Sequence, residues 1–147
     1  MSILDKLNDE MKSALKAHQK ERLNTLRLLI SEIKKEKIDS GGELSSEQEM
    51  NVLLSAAKRR KEAIQAYEKG SRQDLAEVER QELAIINEYL PKQMSDEEIE
   101  IEVKKIIEET GASSIKDLGK VMAEVMKRLK GKADGKKVQT LVRSQLA

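Results

Sequence analysis

This sequence predicts an all-α fold in two parts, and three observations predict it. Apolar positions recur at helical spacing along the whole chain, with no sustained strand-like alternation. The apolar content, 38% of 147 residues, is aliphatic, with no Phe or Trp and only two Tyr. Such a core suits helix-on-helix layers better than a sandwich of aromatic and Thr-rich strands. Charged residues reach 37%, well above the usual quarter, and the excess is Lys and Glu, as in long helices with wide solvated faces.

The elements follow in order. Leu4, Leu7, Met11, Ala14 and Leu15 form one stripe, predicting a helix over residues 2–17. Leu23, Leu26, Leu29, Ile30 and Ile33 predict a second over 20–38. The glycines of "IDSGGELSS" break the pattern, and Ser45 or Ser46 is a suitable N-cap for a third helix. That helix carries Met50, Leu53, Leu54, Ala57, Ile64 and Tyr67 on one side and closes at Gly70. Ser71 is the expected cap of a fourth, lined by Leu75, Leu83, Ile86 and Leu90. Both are long for their apolar content, so they are expected to pack along one narrow stripe as an elongated pair.

Pro91, the only proline, ends that helix, since it donates no backbone hydrogen bond and disfavours helix at the residue before it. Directly after it "SDEEIE" pairs Ser95 with Glu98, a capping-box spacing, with acids in a first turn that favours negative charge. The boundary is therefore expected at residues 91–94. An elongated N-terminal helical domain would cover 1–93, and a small C-terminal three-helix domain 94–147. In the latter, Ile99, Val103, Ile106 and Ile107 define a fifth helix that ends at Gly111. Leu118, Met122, Val125 and Leu129 define a sixth, and Val138, Leu141 and Val142 a seventh.

Composition excludes several function classes. With no cysteine there is no disulfide, thiolate zinc site or cysteine nucleophile. The first ten residues include Asp5, Asp9 and Glu10 and contain no apolar run of signal-peptide type. No stretch approaches the ~18 apolar residues of a membrane span, so a cytoplasmic location without membrane contact is expected. The single histidine, His18, falls in a turn with no second histidine for a metal site. Neither GxGxxG nor GxxxxGK[ST] occurs. No catalytic residue, metal or cofactor is therefore expected. The sequence singles out no acid–base pair among its 27 carboxylates.

Charge distribution is more informative than the net charge of +1. Residues 94–115 hold 2 basic and 7 acidic side chains, and residues 116–147 hold 9 basic and 3 acidic. The basic end centres on "KRLKGKADGKKVQTL". Lys127, Arg128 and Lys130 close the sixth helix, where cations complement the helix dipole. Lys136 and Lys137 instead stand in the first turn of the seventh, where positive charge is disfavoured by ~0.3–1 kcal/mol unless an anion is near. Two readings stay open from the residues alone. Asp134 supplies the anion as N-cap, or a phosphate is held there by Lys132, Lys136 and Lys137, with Gly131 and Gly135 permitting close backbone approach. Elsewhere, Arg27 in "LRLLI" is expected to pair with an acid between helices, and "KRRK" at 58–61 to be a solvated face. No aromatic platform exists for stacking single-stranded bases.

Three stretches carry a resemblance: "LRLLISEIKKEKID", "YEKGSRQDLAEVERQELAIINEYLPKQMSDEEI" and "DLGKVMAEVMKRLKGKADGKKVQTLV". In that order they resemble the YqeY family over essentially the whole chain. Residues 90–147 also resemble the tail of the GatB subunit of glutamine-dependent aspartyl/glutamyl-tRNA amidotransferase. The resemblance implies an all-α protein whose small C-terminal domain is similar to one that contacts the body of tRNA, without the catalytic domains of that carbon–nitrogen ligase. Positions matching the tRNA-facing motif are Gly119, Lys120, Lys130, Gly131, Lys132, Gly135, Lys136 and Lys137, to which the charged joint adds Lys127. The expected function is a non-catalytic module binding tRNA or tRNA-like RNA. Alternatives are a protein–protein adaptor acting through the helices of residues 45–90, or an amidotransferase component acting in trans.

Overall fold

The computed structural model describes residues 2–147, and all regular structure among them is helical. The α-helices are α1 (Ile3–Lys16), α2 (Lys20–Asp39), α3 (Ser46–Lys69), α4 (Gln73–Asn87), α5 (Asp96–Thr110), α6 (Leu118–Leu129) and α7 (Gly135–Leu146). One 3₁₀ turn, Ile115–Asp117, precedes α6. The all-α expectation is met. The chain divides into two compact units, one ending at Leu90 and one running Pro91–Ala147.

In the first unit α1 packs on α2 and α3 on α4, with further contacts from α3 and α4 to α2 and from α3 to α1. Leu7, Leu26, Leu29, Ile33, Leu53 and Ile86 are fully buried at its centre, each contributing about 1.5–3 kcal/mol relative to exposure. Between residues 61 and 82 only Ala76 is buried, which is the narrow apolar stripe expected of the α3–α4 pair. The N-termini are closed locally. Ser2 and Asp5 form a capping box on α1, and Ser45 and Gln48 form one on α3. A long-range contact adds to these: the buried Glu49 of α3 accepts the Leu4 N–H of α1 at 2.9 Å. It thereby satisfies a first-turn donor that has no partner within its own helix.

Helix ends depart from the sequence reading at Ser71. It does not cap α4, whose N-cap is Arg72 with no side-chain bond to the helix N–H groups. Instead Ser71 takes a left-handed conformation (φ 57°) just past α3. There Ser71 and Arg72 donate to the Glu68 and Tyr67 carbonyls, completing a Schellman ending. The exposed His18 (φ 56°) closes α1 in the same way.

Two further expectations in this unit are corrected. Arg27 is exposed and, among the described residues, has no ion pair. The interhelical pairing belongs to Arg22, 2.7 Å from Glu88 and 3.4 Å from Glu10. Nor is "KRRK" uniformly solvated, because Arg60 is 8% exposed. Its guanidinium donates to Glu82 at 3.2 Å and to the Ala56 carbonyl at 3.3 Å, while Arg59 reaches Glu32 at 2.8 Å. Helical periodicity put position 60 beside apolar neighbours, and carboxylates on α2 and α4 made its burial tolerable.

In the second unit, Ile99, Val103 and Ile106 of α5 pack with Val121, Val125 and Leu129 of α6 and Val138, Val142 and Leu146 of α7. Ser95 caps α5 by accepting from the Glu98 N–H at 3.2 Å, while its hydroxyl donates to the Glu98 carboxylate. Gly111, at φ 68°, ends the helix.

The lysine joint between α6 and α7

The joint is built by a turn and a cap. Helix α6 stops at Leu129, and Gly131 takes φ 80°, a conformation that an L side chain adopts at a cost of about 1–2 kcal/mol. Lys132 then donates its N–H to the Leu129 carbonyl at 2.9 Å. Asp134 is the N-cap of α7, and its Oδ1 accepts the Lys136 N–H at 3.2 Å. The chain just after Pro91 lies against this turn. Gln93 Nε2 donates to the Gly131 carbonyl at 2.7 Å, and the Met94 N–H donates to the Lys132 carbonyl at 2.8 Å. The left-handed glycine is therefore used to aim its carbonyl at Gln93.

The strap of Gln93 and Met94 leads directly into α5, whose first residue, Asp96, reaches α7. Asp96 Oδ1 lies 2.7 Å from Lys137 Nζ. The carboxylate holds the Lys137 ammonium above its ordinary pKa, chiefly through that hydrogen bond. Farther along α5, Glu109 lies 2.7 Å from Arg128, which also pairs with Glu124 at 2.9 Å. This pairing holds Glu109 below the usual carboxylate range. Part of the acidic-to-basic polarisation seen in the sequence is thus neutralised between helices of the same unit.

The remaining cations define the surface. Lys127, Lys130, Lys132 and Lys136 are exposed. Among the described residues, the ammonium groups of Lys127, Lys132 and Lys136 have no ionic partner. Gly119 and Lys120 lie at the start of α6, with Lys120 on the same face as Lys127 but two turns away, about 10 Å along the axis. Lys120 donates to the Thr110 carbonyl at 3.3 Å, closing the end of α5. Gly135 begins α7, and a Cβ there would meet Met126 Cε at 3.7 Å, an ordinary contact. Lys127, Lys130, Lys132 and Lys136 are thus exposed along the α6–α7 joint, with Lys137 turned to Asp96.

Chemically, such a surface offers ammonium groups to a multivalent anion. No group of His, Cys, Asp or Glu among the described residues is arranged to hold a metal ion. Among those residues, too, no helix is long and apolar enough to cross a membrane. A groove of about 520 Å³ between α2 and α3 lies in the first unit, lined by Glu32, Lys35, Glu36, Asp39 and Arg59 among others. Sequence reasoning missed Gln93, Met94 and Asp96 as parts of the joint. The only available signal was that "PKQMSD" places them immediately before a helix cap.

Comparison with known proteins covers nearly the whole chain. A family model described as Yqey-like protein matches residues 4–146. A protein of Clavispora lusitaniae named "Altered inheritance of mitochondria protein 41, mitochondrial" is 31% identical over 114 residues, 76% of this chain and 66% of that protein. The protein of the same name from Lachancea thermotolerans is 35% identical over 67% of this chain and 53% of its own length. An uncharacterised protein of Schizosaccharomyces pombe is 34% identical over 64% of this chain and 73% of its own length. The chain thus matches two thirds or less of the length of the two mitochondrial relatives.

Proposed function

The chain belongs to the YqeY-like family, and from that premise we propose that it is a non-catalytic module binding tRNA or similarly folded RNA through phosphates. The supporting observation is the joint itself: Lys127, Lys132 and Lys136 stand exposed and unpaired beside Lys130, while the neighbouring Arg128 and Lys137 are engaged. Point charges on flexible stems suit backbone phosphates, whereas reading base edges calls for planar, bidentate groups, and the joint's one arginine, Arg128, is held by Glu109 and Glu124. The likeness of residues 90–147 to the tRNA-contacting tail of GatB points the same way.

The test is binding of a folded tRNA as a function of salt. About four phosphate contacts give log K against log salt a slope of roughly −3 to −4. Replacing Lys127, Lys132 and Lys136 together by Gln should reduce the magnitude of that slope by about 2–3 and leave helicity unchanged. An unaltered slope in this variant would refute the assignment. Crosslinking in extract that yields protein partners on residues 45–90, and no RNA, would favour the adaptor reading instead.

A further inference from the structure

The pair between Asp96 and Lys137 has a consequence for the same surface. Lys137 is the one lysine of the α7 first turn whose ammonium is held by a carboxylate, at 2.7 Å. The Lys137 side chain is 54% exposed and that of Asp96 66%, so water and other ions reach the contact. A solvent-exposed pair of this kind contributes only about 0.2–1 kcal/mol, so it organises little of the fold. Its position matters more. The carboxylate comes from the first turn of α5, immediately after the Gln93–Met94 strap that fixes the α6–α7 turn. It is thus delivered to the edge of the lysine surface by the hydrogen bonds that shape that surface. Asp134, the other carboxylate near Lys137, is committed to the Lys136 N–H.

We propose that Asp96 is a built-in competitor for the polyanion: its carboxylate occupies Lys137 in place of a phosphate and sets the number of lysines available to bind. The proposal rests on the phosphate-binding reading above and adds its regulation. A phosphate approaching α7 meets Lys136 free and Lys137 already neutralised. Binding through Lys137 requires exchange of one anion for another, with the released carboxylate left as a like charge beside the ligand. Wild-type binding then forgoes the Lys137 contact. Removing the carboxylate restores that contact.

The experiment measures the affinity of the full chain for a labelled folded tRNA across about 50–200 mM salt, with helicity checked by circular dichroism. Four proteins are compared: wild type, Asp96→Asn, Lys137→Gln and the double variant. Asp96→Asn should bind about two- to fivefold tighter at the lowest salt, with a slope steeper by about 0.9, the value of one added phosphate contact. Lys137→Gln leaves the Asp96 carboxylate unpaired beside the ligand and should bind more weakly than wild type, with its slope little changed. In its background Asp96→Asn should no longer steepen the slope. Weaker binding or an unchanged slope in Asp96→Asn, with wild type binding normally, overturns the inference alone. Equal steepening with and without Lys137 also overturns it, since Asp96 would then act by general repulsion. Failure of both wild type and Asp96→Asn to bind the tRNA overturns this inference together with the phosphate-binding reading.

Discussion

Gln93 and Gly131, 38 positions apart, are joined by a 2.7 Å hydrogen bond from the side-chain amide to the backbone carbonyl. Gly131 is buried and left-handed, so its carbonyl cannot turn to solvent without unmaking the α6–α7 turn. Gln93→Ala should therefore lower stability by about 1–2 kcal/mol, the cost of leaving a buried acceptor unpaired. Gly131→Ala should cost about 1–2 kcal/mol for a different reason, its φ. Urea unfolding measures both, and wild-type midpoints in either variant would contradict the bonding described for the joint.

Neighbouring arginines of "KRRK" should behave differently. Arg60 is enclosed and shared between Glu82, Glu32 and the Ala56 carbonyl. Arg60→Ala removes the buried cation and leaves the part-buried Glu82 without it, a loss of about 1.5–3 kcal/mol for a hydrogen bond to a charged group. Arg59 pairs with Glu32 from a side chain that is 58% exposed, so Arg59→Ala should cost below about 1 kcal/mol. Chemical denaturation of the two single variants checks the contrast. Equal losses would mean that burial does not separate these residues.

That contrast also marks where sequence ran out as a guide. Helix positions, the break at Pro91 and the Ser45 and Ser95 caps are written in local spacing, because each depends on residues within one turn. Arg60 and Arg59 look alike in sequence, since what distinguishes them is Glu82 on another helix. Glu49 passes for an ordinary first-turn acid, although its partner is the Leu4 N–H, 45 residues away. The lysine joint was visible as charge density. Whether each lysine is paired was not, because Asp96 stands 41 positions from Lys137. Even Ser71, a good N-cap by type, was recruited to end the preceding helix instead.

Ser71 and His18 offer stabilising changes for that reason. Both are exposed and occupy left-handed backbone, at φ 57° and 56°, where a Cβ is strained and glycine is not. Ser71→Gly and His18→Gly should each raise stability by about 0.5–1 kcal/mol, the strain relieved less the entropy that glycine gains on unfolding. Being distant in sequence and on separate turns, the two should add within about 0.5 kcal/mol. Thermal and urea midpoints test this, and a decrease in both variants would contradict the left-handed assignment.

Glu79 supplies a pH dependence whose sign can be worked out. Burial, then the nearby Glu82, raise its pKa above the ordinary 4.5, and Arg60 opposes them. The folded chain therefore holds this proton more tightly than the unfolded chain does. Stability must fall as pH rises from the unfolded value through the raised folded one, and the loss persists at neutral pH. Glu79→Gln removes the ionisable group and should be more stable than wild type near about pH 7, with the advantage shrinking toward about pH 4 and below. Because Arg60 is the opposing cation, the advantage should be larger in an Arg60→Ala background. Paired urea titrations at the two pH values measure it. A difference independent of pH would show that Glu79 carries no unfavourable charge in the folded state.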